Sequence, residues 1–214
     1  MTMISRREAT CAVCKTVSEY RELMSTNRFG PSDLDSRPPE MMRSTMDYWL
    51  RECPECGYVA KKLSDPIPVP VEFIDSAEYF SCSGHIFESP LAVRFYRFYL
   101  IKREQGDTEE AFYAALHAAW VCDDAEDKAN AKHCRELAIQ HADELIAQNA
   151  EDRDLFLLIK ADLLRRAERF DQVLTEFEEI RFEDPFPNRV LAFQKDRARK
   201  QDTACYTAED VRGK

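Results

Sequence analysis

Glycine is nearly missing from this chain, with 5 among 214 residues. So thin a supply excludes a Gly-rich phosphate-cradling loop, and together with 33% charged residues it points to a helical, water-facing polypeptide. No run of about 18 apolar residues occurs, and the opening MTMISRREATC lacks a hydrophobic signal core. Nothing in the sequence directs the chain into a membrane, and a cytoplasmic location is the expectation. Histidine is scarce too, at 4 residues, and there is no His-Glu-x-x-His motif. No nucleophile, base and orienting acid can be assembled, so the expectation is a protein that is not an enzyme. What is present is ordinary globular material, 44% hydrophobic and 11% aromatic, which excludes global disorder.

Cysteine breaks the pattern of scarcity, with 8 residues in a chain that has no export signal, so reduced thiols are expected. Four of them form two Cys-x-x-Cys pairs: CAVC at residues 11–14 and the cysteines of RECPECGYVA at residues 51–60. Zinc takes four soft or borderline ligands in a tetrahedron, and two such knuckles supply them. Cys11, Cys14, Cys53 and Cys56 are therefore the candidate ligands of a structural zinc ion. Pro54 stiffens the second turn, and Gly57 can adopt the left-handed conformation that aims backbone N–H groups at sulfur. Lys15 stands where the first knuckle would have a glycine. The 38 residues between the pairs leave room for the β-hairpins of a zinc ribbon. Free buried thiols and a redox switch that ejects the metal are the competing readings of the same residues. Cys82 and His85, in SCSGH, have metal-ligand spacing but read as the loop before a helix, and Cys122, Cys134 and Cys205 are scattered.

Residues 1–65 hold both pairs, short β-prone pieces (TVSEY, MDYWLREC) and the loop-rich NRFGPSDLDSRPPE, and read as a small zinc-ribbon-like module. SDPIPVPV at residues 64–71 reads as a junction held extended by its prolines. Residues 66–202 read as a helical domain and 203–214 as a flexible tail. LAVRFYRFYLIKRE and GDTEEAFYAALHAAWVCDD carry helical apolar periodicity, and a third segment aligns Cys134, Leu137, Ala138, His141, Leu145 and Ile146. In LFLLIKADLLRRAERFDQVLTEFEEIRFEDP a tetratricopeptide register places Ala161 at the small position and Leu157, Leu164, Phe170 and Phe177 at large ones, with Ile180 late in the second helix and Pro185 terminal. The fold expected is mainly α: the zinc-ribbon-like module followed by antiparallel, tetratricopeptide-like helical hairpins.

Net charge is −10, and residues 66–150 carry 15 acidic against 7 basic side chains. That field repels phosphate backbones, so nucleic acid is the lesser expectation for the helical part. In DLDSRPPE, Asp33, Asp35 and Arg37 read first as turn formers with a local ion pair and second as a partner site. The basic cluster at Arg189, Lys195, Arg197, Arg199 and Lys200 reads as a solvated helix face.

CPECGY, the stretch RF...SDLDSRP between the pairs, the Pro-rich junction and a helix ending HAAWVCDD together resemble the uncharacterised bacterial family designated domain of unknown function 2225. The resemblance spans nearly the whole chain. It implies a zinc-ribbon-like N-terminus with Cys11, Cys14, Cys53 and Cys56 as the four thiolates, followed by tetratricopeptide-like helices, and it implies no activity. The leading expectation is a scaffold that binds a protein or peptide partner on its helical surface. A nucleic-acid-binding zinc ribbon and a thiol redox sensor are the alternatives. Oligomeric state leaves no sequence signal.

Overall fold

Pro90 opens the first long helix of this computed structural model, which describes residues 2–148 and 152–212. At the first helical position proline's missing N–H costs nothing, and its fixed φ is already helical. The helix, α3 (Pro90–Gln105), ends at Gly106, whose φ of 76° lets the N–H groups of Gly106 and Asp107 return to the carbonyls of Arg103 and Lys102. Asp107 then caps α4 (Thr108–Asp124) by accepting from the Glu110 N–H at 3.2 Å. Only Gly106 serves a long helix in this way among the described glycines. After α4, and again after α6 (Arg153–Arg166) and α8 (Pro185–Arg199), the left-handed seat is taken by Glu126, Glu168 and Gln201. Each costs on the order of 1 kcal/mol relative to glycine. The shortage of glycine in the sequence thus appears directly as strain at helix ends.

Before α3 come two short helices, α1 (Val71–Ile74) and α2 (Ala77–Phe80). α5 (Lys128–Gln148) follows α4, and α7 (Phe170–Glu176) and α9 (Ala208–Arg212) complete the set. Helices α3 to α6 pack in chain order, each against the next. α4 is the centre: Ala111, Ala114, Ala115, Ala118 and Ala119 are all buried, and their small side chains let α3 and α5 approach closely. Residues 90–200 contain no strand among the described residues, and Trp120 and Phe177 are buried as the apolar pattern requires, with Phe170 only partly covered. The second helix of the expected tetratricopeptide hairpin stops at Glu176, short of Ile180. Residues beyond it are recruited to cap α8: Asn188 bonds the Phe182 N–H and carbonyl at 3.0 and 2.7 Å, and Asp184 accepts from Phe186 N–H at 2.8 Å.

The N-terminal part is two antiparallel hairpins, β1 (Met3–Thr10) with β2 (Val17–Ser25), and β3 (Arg51–Glu52) with β4 (Val59–Ala60). Of the β-prone MDYWLREC, only Arg51 and Glu52 are strand; the start of that piece closes a 3₁₀ turn spanning Arg43–Tyr48. The buried apolar side chains form one cluster that runs from Cys11 and Cys53 through the helices to Ala198. The hairpins and the helices therefore share a core.

DLDSRPPE is part of an ionic network that reaches far beyond a local turn. Fully buried Asp35 accepts from Trp120 Nε1 and from Arg166 Nη1, each at 2.8 Å. Burial, and next the neighbouring Asp162 charge, push its carboxyl up to about 6 against the pull of Arg166. Arg166 also donates to Asp123 at 2.5 Å, Arg135 binds the same carboxylate, and Arg37 pairs with Asp124. One layer away, fully buried Arg165 donates to Gln194 (2.6 Å), Asp162 (2.7 Å) and the Asp202 carbonyl (2.7 Å). Residues 203–212, read from the sequence as part of a flexible tail, are held here. Leu34 N–H donates to the Tyr206 carbonyl at 2.8 Å and Ala208 N–H to the Ser32 carbonyl at 3.1 Å. These two bonds flank an antiparallel bridge between Asp33 and Thr207.

Removing one partner of a buried ion pair leaves the other charge stranded. Asp35→Ala is expected to cost about 3 kcal/mol or more by denaturant unfolding. Lys132→Ala, which removes the exposed pair with Glu168 (side chains 47% and 60% accessible), should cost less than about 1 kcal/mol.

Candidate metal centre

Each hairpin ends in one Cys-x-x-Cys turn, and the two turns are built alike. The Thr10/Val17 strand pair closes the first, and Glu52/Val59 closes the second. In the first, Cys11 N–H donates to the Thr16 carbonyl (2.9 Å) and Lys15 N–H to the Cys11 carbonyl (3.0 Å). In the second, Cys53 N–H donates to the Tyr58 carbonyl (2.9 Å) and Gly57 N–H to the Cys53 carbonyl (2.9 Å). The matching residues Lys15 and Gly57 have φ of 64° and 68°. Lys15 holds a conformation natural to glycine, and its Nζ donates to the Ala12 carbonyl across the turn at 2.7 Å.

The turns face each other, and their four sulfurs all lie within 4.8 Å of one another. Cys11 Sγ is 3.7 Å from Cys56 Sγ, and Cys14 Sγ is 3.5 Å from Cys53 Sγ. These separations are too long for disulfides, and all four thiols are free. A tetrahedron with zinc–sulfur bonds of about 2.3 Å has sulfur–sulfur edges of about 3.8 Å. The thiols are thus spaced as the ligands of one such ion, and the donor set fits a thiophilic metal. Their surroundings are unequal. Burial pushes Cys11 and Cys56 up, while hydrogen bonds from the Thr16 side chain and backbone bring Cys14 down to about 6. A bound cation removes that disparity by deprotonating its ligands.

What holds the site comes from outside the cysteine motifs. Tyr79 of α2 is fully buried, and its hydroxyl donates to the Gly57 carbonyl at 2.8 Å and accepts from the Val59 N–H at 3.1 Å. Arg97 of α3 donates to Glu52 at 2.7 Å and to the Phe80 carbonyl at 3.2 Å, and lies against Gly57, where an added Cβ would sit 3.4 Å from its Nη1. Ala12 N–H bonds the Leu63 carbonyl at 2.8 Å, tying the first knuckle to the chain leaving the second hairpin. Sequence reasoning missed Tyr79 and Arg97 because neither carries metal chemistry nor a recognisable spacing.

All four expected ligands converge. Cys82 and His85 do not join them: Cys82 is buried elsewhere, and the His85 ring stacks on His133 with centroids 3.8 Å apart. The basic cluster of α8 is partly spent internally, with Arg197 stacked on Phe193 and Tyr206 and Lys200 paired with Asp196. Among the described residues no helix is long and apolar enough to cross a membrane. Comparison of the chain with protein-family models, curated proteins and solved structures finds no match.

Because the two turns share one geometry but differ at the left-handed residue after the second cysteine, substitution at these matched positions should have opposite signs. Gly57→Ala is expected to destabilise the N-terminal hairpins by about 1–2 kcal/mol and to speed metal loss to a chelator. Lys15→Gly should leave stability unchanged or raise it by up to about 1 kcal/mol. Chelator-competition kinetics and thermal unfolding read both.

Proposed function

We propose that the protein is a non-enzymatic interaction protein, in which a structural zinc centre of the zinc-ribbon kind is fixed to a tetratricopeptide-like helical array that receives a protein partner. The closed thiolate set carries this reading. Four protein sulfurs fill a tetrahedral zinc sphere and leave no position for a substrate or an activated water, so the ion's work is to join the two knuckles. The resemblance to family 2225, carried by CPECGY and HAAWVCDD, agrees with it.

Two surface features support the interaction half. On the outer part of the β1–β2 hairpin, Met3, Ile4 and Met24 are 57%, 42% and 51% exposed, on the two faces of a two-stranded sheet and left uncovered by the described residues. At the α3–α4 turn Glu104 and Glu109, and at the opposite end of α4 Glu126, are exposed and make no ion pair with a described residue. The acidic stretch is narrower than its sequence suggests. Asp123 and Asp124 are consumed by Arg135, Arg166 and Arg37, and Asp127 caps α5 by accepting from the Asn130 N–H at 3.2 Å.

Protein purified under reducing conditions without chelator should contain about one zinc per chain, and Cys53→Ser should lose it. Capture of a basic protein partner from native lysate should survive nuclease and fall when Glu104, Glu109 and Glu126 are changed together to lysine, with thermal stability kept. Absence of zinc, or zinc retained in Cys53→Ser, contradicts the centre. Capture that disappears on nuclease treatment replaces the protein partner with nucleic acid.

A further inference from the structure

Between β2, the segment after the 3₁₀ turn, α3 and α4 lies a cavity of about 590 Å³, well within the range of small-molecule sites. Its apolar lining includes Phe95 and Phe98 from α3, Ala114 from α4 and the Trp49 indole. Both tryptophans near it have their indole N–H engaged elsewhere, Trp49 on Thr45 Oγ1 at 3.1 Å and Trp120 on Asp35. Their rings, rather than their polar edges, are therefore turned to their shared neighbour, His117.

His117 lines the same cavity and contacts aromatic rings: Trp120 at 4.8 Å, Trp49 at 5.0 Å and Phe95 at 5.4 Å between centroids. Neither ring nitrogen has a hydrogen-bond partner among the described residues. Burial, with Lys61 and Arg37 adding to it, holds its pKa down at about 3, so at neutral pH the ring presents one donor and one acceptor. The ring is only partly covered, so it is open to what fills the cavity.

The rim has a charge sign. Lys61 is paired with Glu110 at 2.6 Å, and Arg51 is near Glu22 at 3.9 Å while donating to the Lys61 carbonyl at 3.1 Å. Lys62 is exposed and makes no ion pair with a described residue, which leaves the mouth one cation in excess.

From these three features we infer that the cavity is a binding site for a small aromatic carboxylate, its ring system against the Trp49 and His117 rings over a floor of Phe95 and Phe98, and its carboxylate at Lys62. The site shares its hairpin wall with the thiol module but none of its chemistry, so the metal-loaded protein tests it apart from the zinc and partner readings above. It requires neither a coordination position nor a protein surface.

The test is isothermal titration of the full-length, metal-loaded protein with naphthalene-2-carboxylate, with 2-naphthamide and cyclohexanecarboxylate as the uncharged and non-aromatic comparisons. The expected result is one site per chain with a dissociation constant of about 1 mM or tighter, and binding of each comparison weaker by about tenfold or more. Lys62→Glu, on the exposed rim, should weaken the carboxylate by about tenfold with an unchanged melting temperature. Ala114→Phe, which fills the floor, should abolish binding if it folds, and the Lys62 variant keeps the test decisive if it does not. No saturable binding, binding of 2-naphthamide as tight as that of the carboxylate, or binding untouched by Lys62→Glu overturns the assignment.

Discussion

Four cysteine sulfurs within 4.8 Å of one another are the constraint on which the N-terminal third depends. Neither hairpin has enough sheet to stand alone: each is two-stranded, and β3 and β4 are two residues apiece. Brought together without a cation, the thiols are mismatched, with burial raising Cys11 and Cys56 while Thr16 lowers Cys14. A metal ion held by all four sulfurs would resolve that mismatch and close both turns at once, and its binding energy would then be folding energy for the module.

That closure reaches the helices through few atoms. The Tyr79 hydroxyl satisfies a carbonyl and an N–H of the second knuckle, and Arg97 packs on Gly57 and pairs with Glu52. On the far side of α4, Asp35 binds Trp120 and Arg166 and so fixes the connecting loop to α4 and α6. The hairpins are gripped at both ends, by the knuckle contacts to α2 and α3 and by the ionic loop. The aromatic cavity lies in the space between these grips, walled by both parts of the chain.

What the sequence made legible was chemistry with fixed local spacing. The two Cys-x-x-Cys pairs mark the four thiols that converge, and apolar periodicity in residues 91–104 and 106–124 marks α3 and α4. What it hid was long-range or against type. MISRREAT has no apolar alternation, because β1 is largely exposed and needs only β2 for its backbone bonds. Lys15 hides its left-handed φ behind its residue type, and only its place opposite Gly57 in the second knuckle points to it. Asp35 meets Arg166 across 131 residues of chain, and no local pattern encodes that pairing. Residues 203–212 carry no local pattern that points to residues 32–34, the edge that holds them. The tetratricopeptide register overran α7 because its spacing ignores the claim of Asn188 and Asp184 on the residues before α8.

Tyr79 and Arg97 link the second thiol turn to α2 and α3, and hydrogen–deuterium exchange of the reduced protein before and after chelation measures what that link transmits. The expected result is faster exchange at residues 9–18 and 51–60 and at Tyr79 and Phe80 of α2, with α4 through α6 keeping their protection. Unchanged exchange at both knuckles after the metal is removed, or knuckle opening that leaves α2 fully protected, would contradict it.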